Sequence, residues 1–156
     1  MKFKFDIKEN AIDSFNEALS KYEEGEAGVL KAFKFSITHL SHCIELVLKM
    51  YLQSLDESLI FSKCYKEVAK RAKADGVSLL EAFNVLESEG YDFEHLVTGQ
   101  INPHTVTVEQ ALAVAICEVC SVTGNNLVDQ DFIDDINWMK SLRNCIEHFQ
   151  FEFTAK

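Results

Sequence analysis

The chain has 156 residues, a formal net charge of −10, 47% hydrophobic and 26% charged residues, one proline and six glycines. These values fit a single globular domain over residues 1–156 and exclude a disordered chain. They also count against an all-β fold, which needs many tight turns. No apolar run of about 18 residues is available to cross a membrane, and MKFKFDIKEN carries acidic and amide residues where a signal peptide is apolar. The expectation is a soluble, cytoplasmic protein without a membrane partner. Its acidity bears on function, because non-specific affinity for nucleic acid comes from Lys and Arg on phosphates. A nucleic-acid role would need a local site or a basic partner. Five cysteines, at 43, 64, 117, 120 and 145, are an odd number. In a reducing compartment they read as small buried apolar side chains.

Helix signals dominate the chain. Asn10 can cap a first helix through about Tyr22, ending before Gly25, with Ile12, Phe15 and Leu19 on one face. A long second helix is predicted from Ala27 to Leu55, where Phe33, Ile37, Leu40, Ile44, Val47, Leu48 and Tyr51 recur at three- and four-residue steps. Residues 54–76 read equally as strand or helix and stay open. Ser78 and Glu81 have capping-box spacing, predicting a helix over 79–88 before Gly90. Thr107 and Gln110 repeat the pattern ahead of ALAVAICEVCSV, an apolar run that predicts a central helix ending at Gly124. Asp129 and Asp131 open a last helix to about His148, with Phe132, Ile136, Met139, Leu142 and Ile146 inward. The predicted fold is all-α, an up-and-down bundle of about five helices.

The last helix carries polar residues of interest. At about 100° per residue, Arg143 falls within roughly 20° of Phe132 and Ile136. An arginine there cannot lose its charge and needs an anion, from the protein or from a ligand. Asn144 and His148 are four residues apart and share a face, so the amide can orient the imidazole. The alternative is an Arg143–Glu147 pair at i+4, with His148 simply closing the helix at its negative pole.

Arg143-Asn144-x-x-x-His148, at the end of the last long helix, resembles the R-x(4–6)-H motif of the HEPN superfamily (higher eukaryotes and prokaryotes nucleotide-binding). The long second helix resembles that family's early helix through Ile44-Glu45-Leu46-Val47-Leu48-Lys49. The resemblance extends over about residues 10–150. It implies a HEPN-like helical bundle and a metal-independent endoribonuclease, without cofactor, acting on RNA as a homodimer with two motifs lining one cleft. It further implies a toxin or phage-defence component, with a nucleotidyltransferase-like antitoxin as a potential partner. Under that reading His148 takes the proton of a 2′-hydroxyl, Arg143 holds the phosphate, and Asn144 and Glu45 orient them. A non-catalytic HEPN-like module that binds a partner protein or a nucleotide is the alternative.

Glu45 shares a polar stripe with Thr38, His42 and Lys49. The stripe reads either as one border of the cleft or as a solvated face with a Glu45–Lys49 pair. Lys63, Lys66, Lys70, Arg71 and Lys73 place five of the fifteen basic residues within eleven positions. Such a patch can hold RNA backbone, dock an acidic partner, or be only a solvated face. Cys117-Glu118-Val119-Cys120 lacks the histidine of a haem motif and the second C-x-x-C of a zinc ribbon. It reads as buried small residues on the central helix, ahead of a metal or redox site.

Overall fold

The computed structural model describes residues 6–101 and 103–148, and over these the chain is all-α. Six α-helices are present among the described residues: α1 (Ile7–Glu26), α2 (Lys31–Leu55), α3 (Ser62–Asp75), α4 (Leu79–Ser88), α5 (Val108–Ala115) and α6 (Gln130–His148). None is long and apolar enough to cross a membrane. The chain divides into two compact units whose boundary falls inside α2, one built from residues up to Val47 together with those from Gln130 onward, the other from Leu48–Asp129.

In the first unit α1 starts a turn earlier than the Asn10 cap would have it. Asp6 is the cap: its carboxylate accepts from Glu9 N–H at 2.7 Å, and Glu9 accepts back from the Asp6 N–H at 3.5 Å. Reciprocal capping of this kind satisfies two of the orphan donors at a helix start. The helix also runs through Gly25 and stops at Glu26. Its inward face is a line of small residues, Ala11, Ser14, Ala18 and Gly25. These let α2 come close, with the Phe33 ring seated over Gly25 and Ser36 Oγ donating to the Ala18 carbonyl at 2.8 Å. Phe33 also meets Tyr22 edge to face at 5.6 Å. The bulky face marked by Ile12, Phe15 and Leu19 is therefore the outer one.

Gly28, at φ +104°, turns the chain between the two helices, so α2 begins at Lys31, later than Ala27. On α2 the buried positions before the unit boundary are Ala32, Ser36, Ser41, Cys43 and Leu46, while Val47 of the expected stripe is half exposed.

The second unit shows what residues 54–76 become. Asp56 accepts from Ser58 N–H at 2.7 Å and caps a short 3-10 turn, Glu57–Ile60, after which α3 begins. Phe61 bridges Thr105, flanked by Ser62 N–H to His104 O and Val106 N–H to Ile60 O, both 2.9 Å. That pairing ties the turn to the segment entering α5. The buried side of α3 is Cys64, Val68 and Ala72, stepping by four, and it packs on α4. Gly76 closes α3 in the left-handed conformation that a glycine tolerates best. Helix α4 spans 79–88 with the Ser78–Glu81 capping box formed, as the spacing predicts. Phe83, Phe93 and Tyr91 form a chain of tilted rings, at 5.9 and 4.9 Å between centroids.

Helix α5 starts at its predicted Thr107–Gln110 box but ends at Ala115, far short of Gly124. The chain then tightens into a turn and folds back, with Val119 bridging Asn126, Cys120 N–H on Asn125 O and Leu127 N–H on Glu118 O, both 2.8 Å. The reversal places the Glu118 carboxylate on the Tyr51 hydroxyl of α2 in a short hydrogen bond. Desolvation, followed by this carboxylate, pushes the Tyr51 hydroxyl's pKa strongly upward.

Candidate functional site

Helix α6 holds the motif. Ile136, Met139 and Ile146 are buried as expected, Leu142 is half-buried, and Phe132, expected inward, is 42% exposed. Arg143 lies beside this narrow apolar line with its side chain 37% exposed, and its Nε donates to Glu147 Oε1 at 3.0 Å. Its anion is thus on the same helix, one turn on. Asn144 and His148 are both exposed, and among the described residues no hydrogen bond joins them. The i, i+4 spacing places them on one face, as the sequence indicates, without locking one to the other.

An exposed i, i+4 ion pair contributes about 0.3–0.5 kcal/mol. Such a pair orders Arg143 but yields readily to a phosphate, which offers the guanidinium a charge-assisted, two-pronged partner. Arg143 and His148 are five residues apart, roughly 7.5 Å along the axis and about 140° around it. From a single helix, the two groups face different directions.

The stripe on α2 is less uniform than the sequence suggests. His42 is exposed and Glu45 half-buried, but Lys49 is 8% exposed and donates to Thr105 Oγ1 at 3.0 Å. A buried ammonium requires such partners, so Lys49 serves to pin the segment before α5 and not a solvated face.

On α3 the basic run separates by face. Lys63, Lys66, Lys70 and Lys73 lie within about 80° of one another, opposite the buried side, and all are exposed. Lys63, Lys66 and Lys73 have no ion-pair partner among the described residues, and Lys70 has only Glu67 at 4.0 Å. Arg71 points elsewhere: it donates to both oxygens of Glu89, at 2.8 and 3.0 Å, and to Asp75. Those carboxylates raise its pKa, Glu89 first. The open patch is therefore four lysines, with Arg71 acting as a clamp from α3 to the end of α4.

The cysteines do not share one role. Cys43 and Cys64 are buried, and desolvation raises both thiols, Cys64 to about 11. Cys117 and Cys120 are half-buried on the hairpin after α5 and not on a central helix, and Cys145 is exposed. Cys117 Sγ donates to the Ala113 carbonyl at 3.2 Å. Hydrogen bonds from the Thr123 hydroxyl, then from the Thr123 and Val122 N–H groups, lower the Cys120 thiol's pKa. Thr123-Gly124-Asn125-Asn126 is turn chemistry, and that signal in the sequence marks the hairpin. Among the described residues, no group of three or more His, Cys, Asp or Glu side chains is placed to share a metal.

A cleft of about 610 Å³ in the second unit is lined by Asp56, Glu57, Asp92 and Glu94 with Tyr91 and Phe61. With four carboxylates and no basic side chain among the described lining residues, it is hostile to phosphate. The α6 motif and the α3 lysines, among the described residues, are two features whose chemistry suits an anion. Comparison with family models, curated proteins and solved structures finds no match to the chain.

Proposed function

We propose that the chain is a metal-independent endoribonuclease of the HEPN type, acting as a homodimer, in the setting of a toxin or a phage-defence component. The observation that carries this reading is that Arg143 and His148 both reach solvent on the last turns of α6, with Arg143 held, among the described residues, by an exposed carboxylate. His148 accepts the proton of a ribose 2′-hydroxyl, whose oxygen attacks the adjacent phosphorus. Arg143 exchanges Glu147 for the phosphate oxygens and stabilises the charge that builds on them. The 5′-oxygen leaves with a proton and a 2′,3′-cyclic phosphate remains, so the substrate must be RNA. Because the two groups diverge on one helix, a second copy across a twofold axis supplies the opposing guanidinium or imidazole. Asn144 lies beside His148 on that face, and Glu45 is the acidic residue of α2 that the resemblance assigns to the same site. In the second unit, the lysine face of α3 is a separate positive surface that suits RNA backbone on an otherwise acidic protein.

The test is cleavage of a single-stranded RNA by the full chain. His148→Ala and Arg143→Ala should each lose at least about a hundredfold in rate, the scale of a missing general base or charge stabiliser, with the far-UV circular dichroism unchanged. EDTA should have no effect. Both variants cutting at the parental rate would refute the mechanism.

A second reading, a non-catalytic module that binds a partner protein or nucleotide, is favoured by the Arg143–Glu147 pair and the net charge of −10. A non-cleavable 2′-O-methyl RNA at low salt separates the two. Binding that weakens on Lys63→Gln, Lys66→Gln, Lys70→Gln and Lys73→Gln together supports the nuclease reading. Neither binding nor cleavage supports the module.

A further inference from the structure

Helix α1 turns its bulky apolar side chains outward. Ile12, Phe15, Leu19 and Tyr22 are 45–51% exposed, against 3–5% for Ala11 and Ala18 on the face toward α2. Their steps of three, four and three are extended by Lys8 and Glu26, each four residues beyond an end. The six positions follow the alternating spacing of a coiled-coil seam and lie within about 80° around the axis. Lys8 and Glu26 are exposed, and among the described residues neither is in an ion pair. The seam thus begins on an unmatched cation, ends on an unmatched anion, and is apolar between them.

We propose that this seam is a homotypic docking surface, on which two copies of the chain pair their α1 helices antiparallel about a twofold axis passing near Glu17. The register follows from the positions. About residue 17, Phe15 falls opposite Leu19 of the second copy, Ile12 opposite Tyr22, and Lys8 opposite Glu26. Each contact occurs twice, as a twofold requires. A parallel pairing would set lysine on lysine and glutamate on glutamate, which repel. A second copy is the fitting occupant because the charge at one end of the seam is complementary to that at its own other end. The nuclease reading also calls for a homodimer but does not say which helices join it; the α1 seam is tested apart from it, by the response of the mass to changes at Phe15, Lys8 and Glu26 and not by cleavage.

Sedimentation equilibrium of the full chain over a range of concentrations tests it. The parent should dimerise. Phe15→Glu, which sets a carboxylate against Leu19 twice, should weaken the dimer at least about tenfold. Lys8→Glu and Glu26→Lys should each weaken it about threefold to fivefold, an effect that fades in high salt. The double variant Lys8→Glu/Glu26→Lys should regain the parental constant. Both charge changes suit the helix macrodipole and sit at exposed positions, so a lost helix does not account for a loss of dimer. A parent that stays monomeric, covered by another part of its own chain or awaiting a different protein, overturns the proposal. So does an unchanged mass for a folded Phe15→Glu variant, or a double variant no better than the single ones.

Discussion

Gly25→Ala tests why α1 faces as it does. A Cβ at Gly25 would lie 2.7 Å from Phe33 Cε1 and 2.8 Å from Cδ1 and Cζ. Ordinary carbon contacts are about 3.5–4.0 Å, so the ring would have to withdraw by about 1 Å from a site where it also meets Tyr22. Alanine favours the helix by about 0.5–1 kcal/mol over glycine, whereas overpacking costs about 1–3 kcal/mol. The steric effect is the larger, and the variant should be destabilised by roughly 1–2 kcal/mol. For a chain of this size that lowers Tm by about 2–8 °C, measured by far-UV circular dichroism on heating and checked in urea. Phe33→Leu removes the ring, so in Gly25→Ala/Phe33→Leu the combined loss should fall short of the sum by about 1 kcal/mol. If Gly25→Ala is as stable as the parent or more so, or if the double variant is additive, the ring is not lodged against the glycine and the close approach of α1 and α2 is refuted.

Two further outcomes are expected. Ser78→Ala removes the α4 cap and should cost about 1 kcal/mol near neutral pH. Hydrogen bonds from the Ser78 backbone and then its side chain lower the Glu81 pKa. The backbone bond remains in the variant, but the bond from Ser78 Oγ to Glu81 Oε2, at 2.8 Å, is removed; it stabilises above the carboxyl's unfolded value and is lost as pH falls through its folded value, so the gap between variant and parent should narrow below about pH 4. Thiol labelling of the native protein should modify Cys120 and Cys145 readily, Cys120 at lower pH than an ordinary thiol. Cys43 and Cys64 should react only on unfolding, because both are buried with raised pKa values; peptide mass mapping over a pH series checks this, and early labelling of Cys64 would contradict its burial.

What could be read in the sequence is what adjacent residues decide among themselves. The Ser78–Glu81 and Thr107–Gln110 boxes place the starts of α4 and α5 because a cap is a bond across three residues. The span of α6 and its line Ile136, Met139, Ile146 follow from the helical period. The lysines of α3 can be seen to be clustered, but not that four share a face and Arg71 does not, because residues 54–76 offer only Cys64, Val68 and Ala72 as a narrow apolar side. The Arg143–Glu147 pair is among the alternatives that i+4 spacing allows, and the spacing alone does not select it.

The tertiary structure decided the rest. A bulky apolar stripe and a line of small residues both satisfy helical periodicity. Packing against α2, with Phe33 over Gly25 and Ser36 on the Ala18 carbonyl, selects the small side of α1 as the inner one. An apolar run such as ALAVAICEVCSV favours helix throughout, yet α5 ends at Ala115, where the chain folds back and brings Glu118 onto Tyr51 of α2. Lys49 falls on a polar stripe in the sequence and is buried against Thr105 in the fold. Caps and periods are set by bonds a few residues long, whereas which face is buried, where a helix stops and which charge is matched depend on groups brought together from distant parts of the chain.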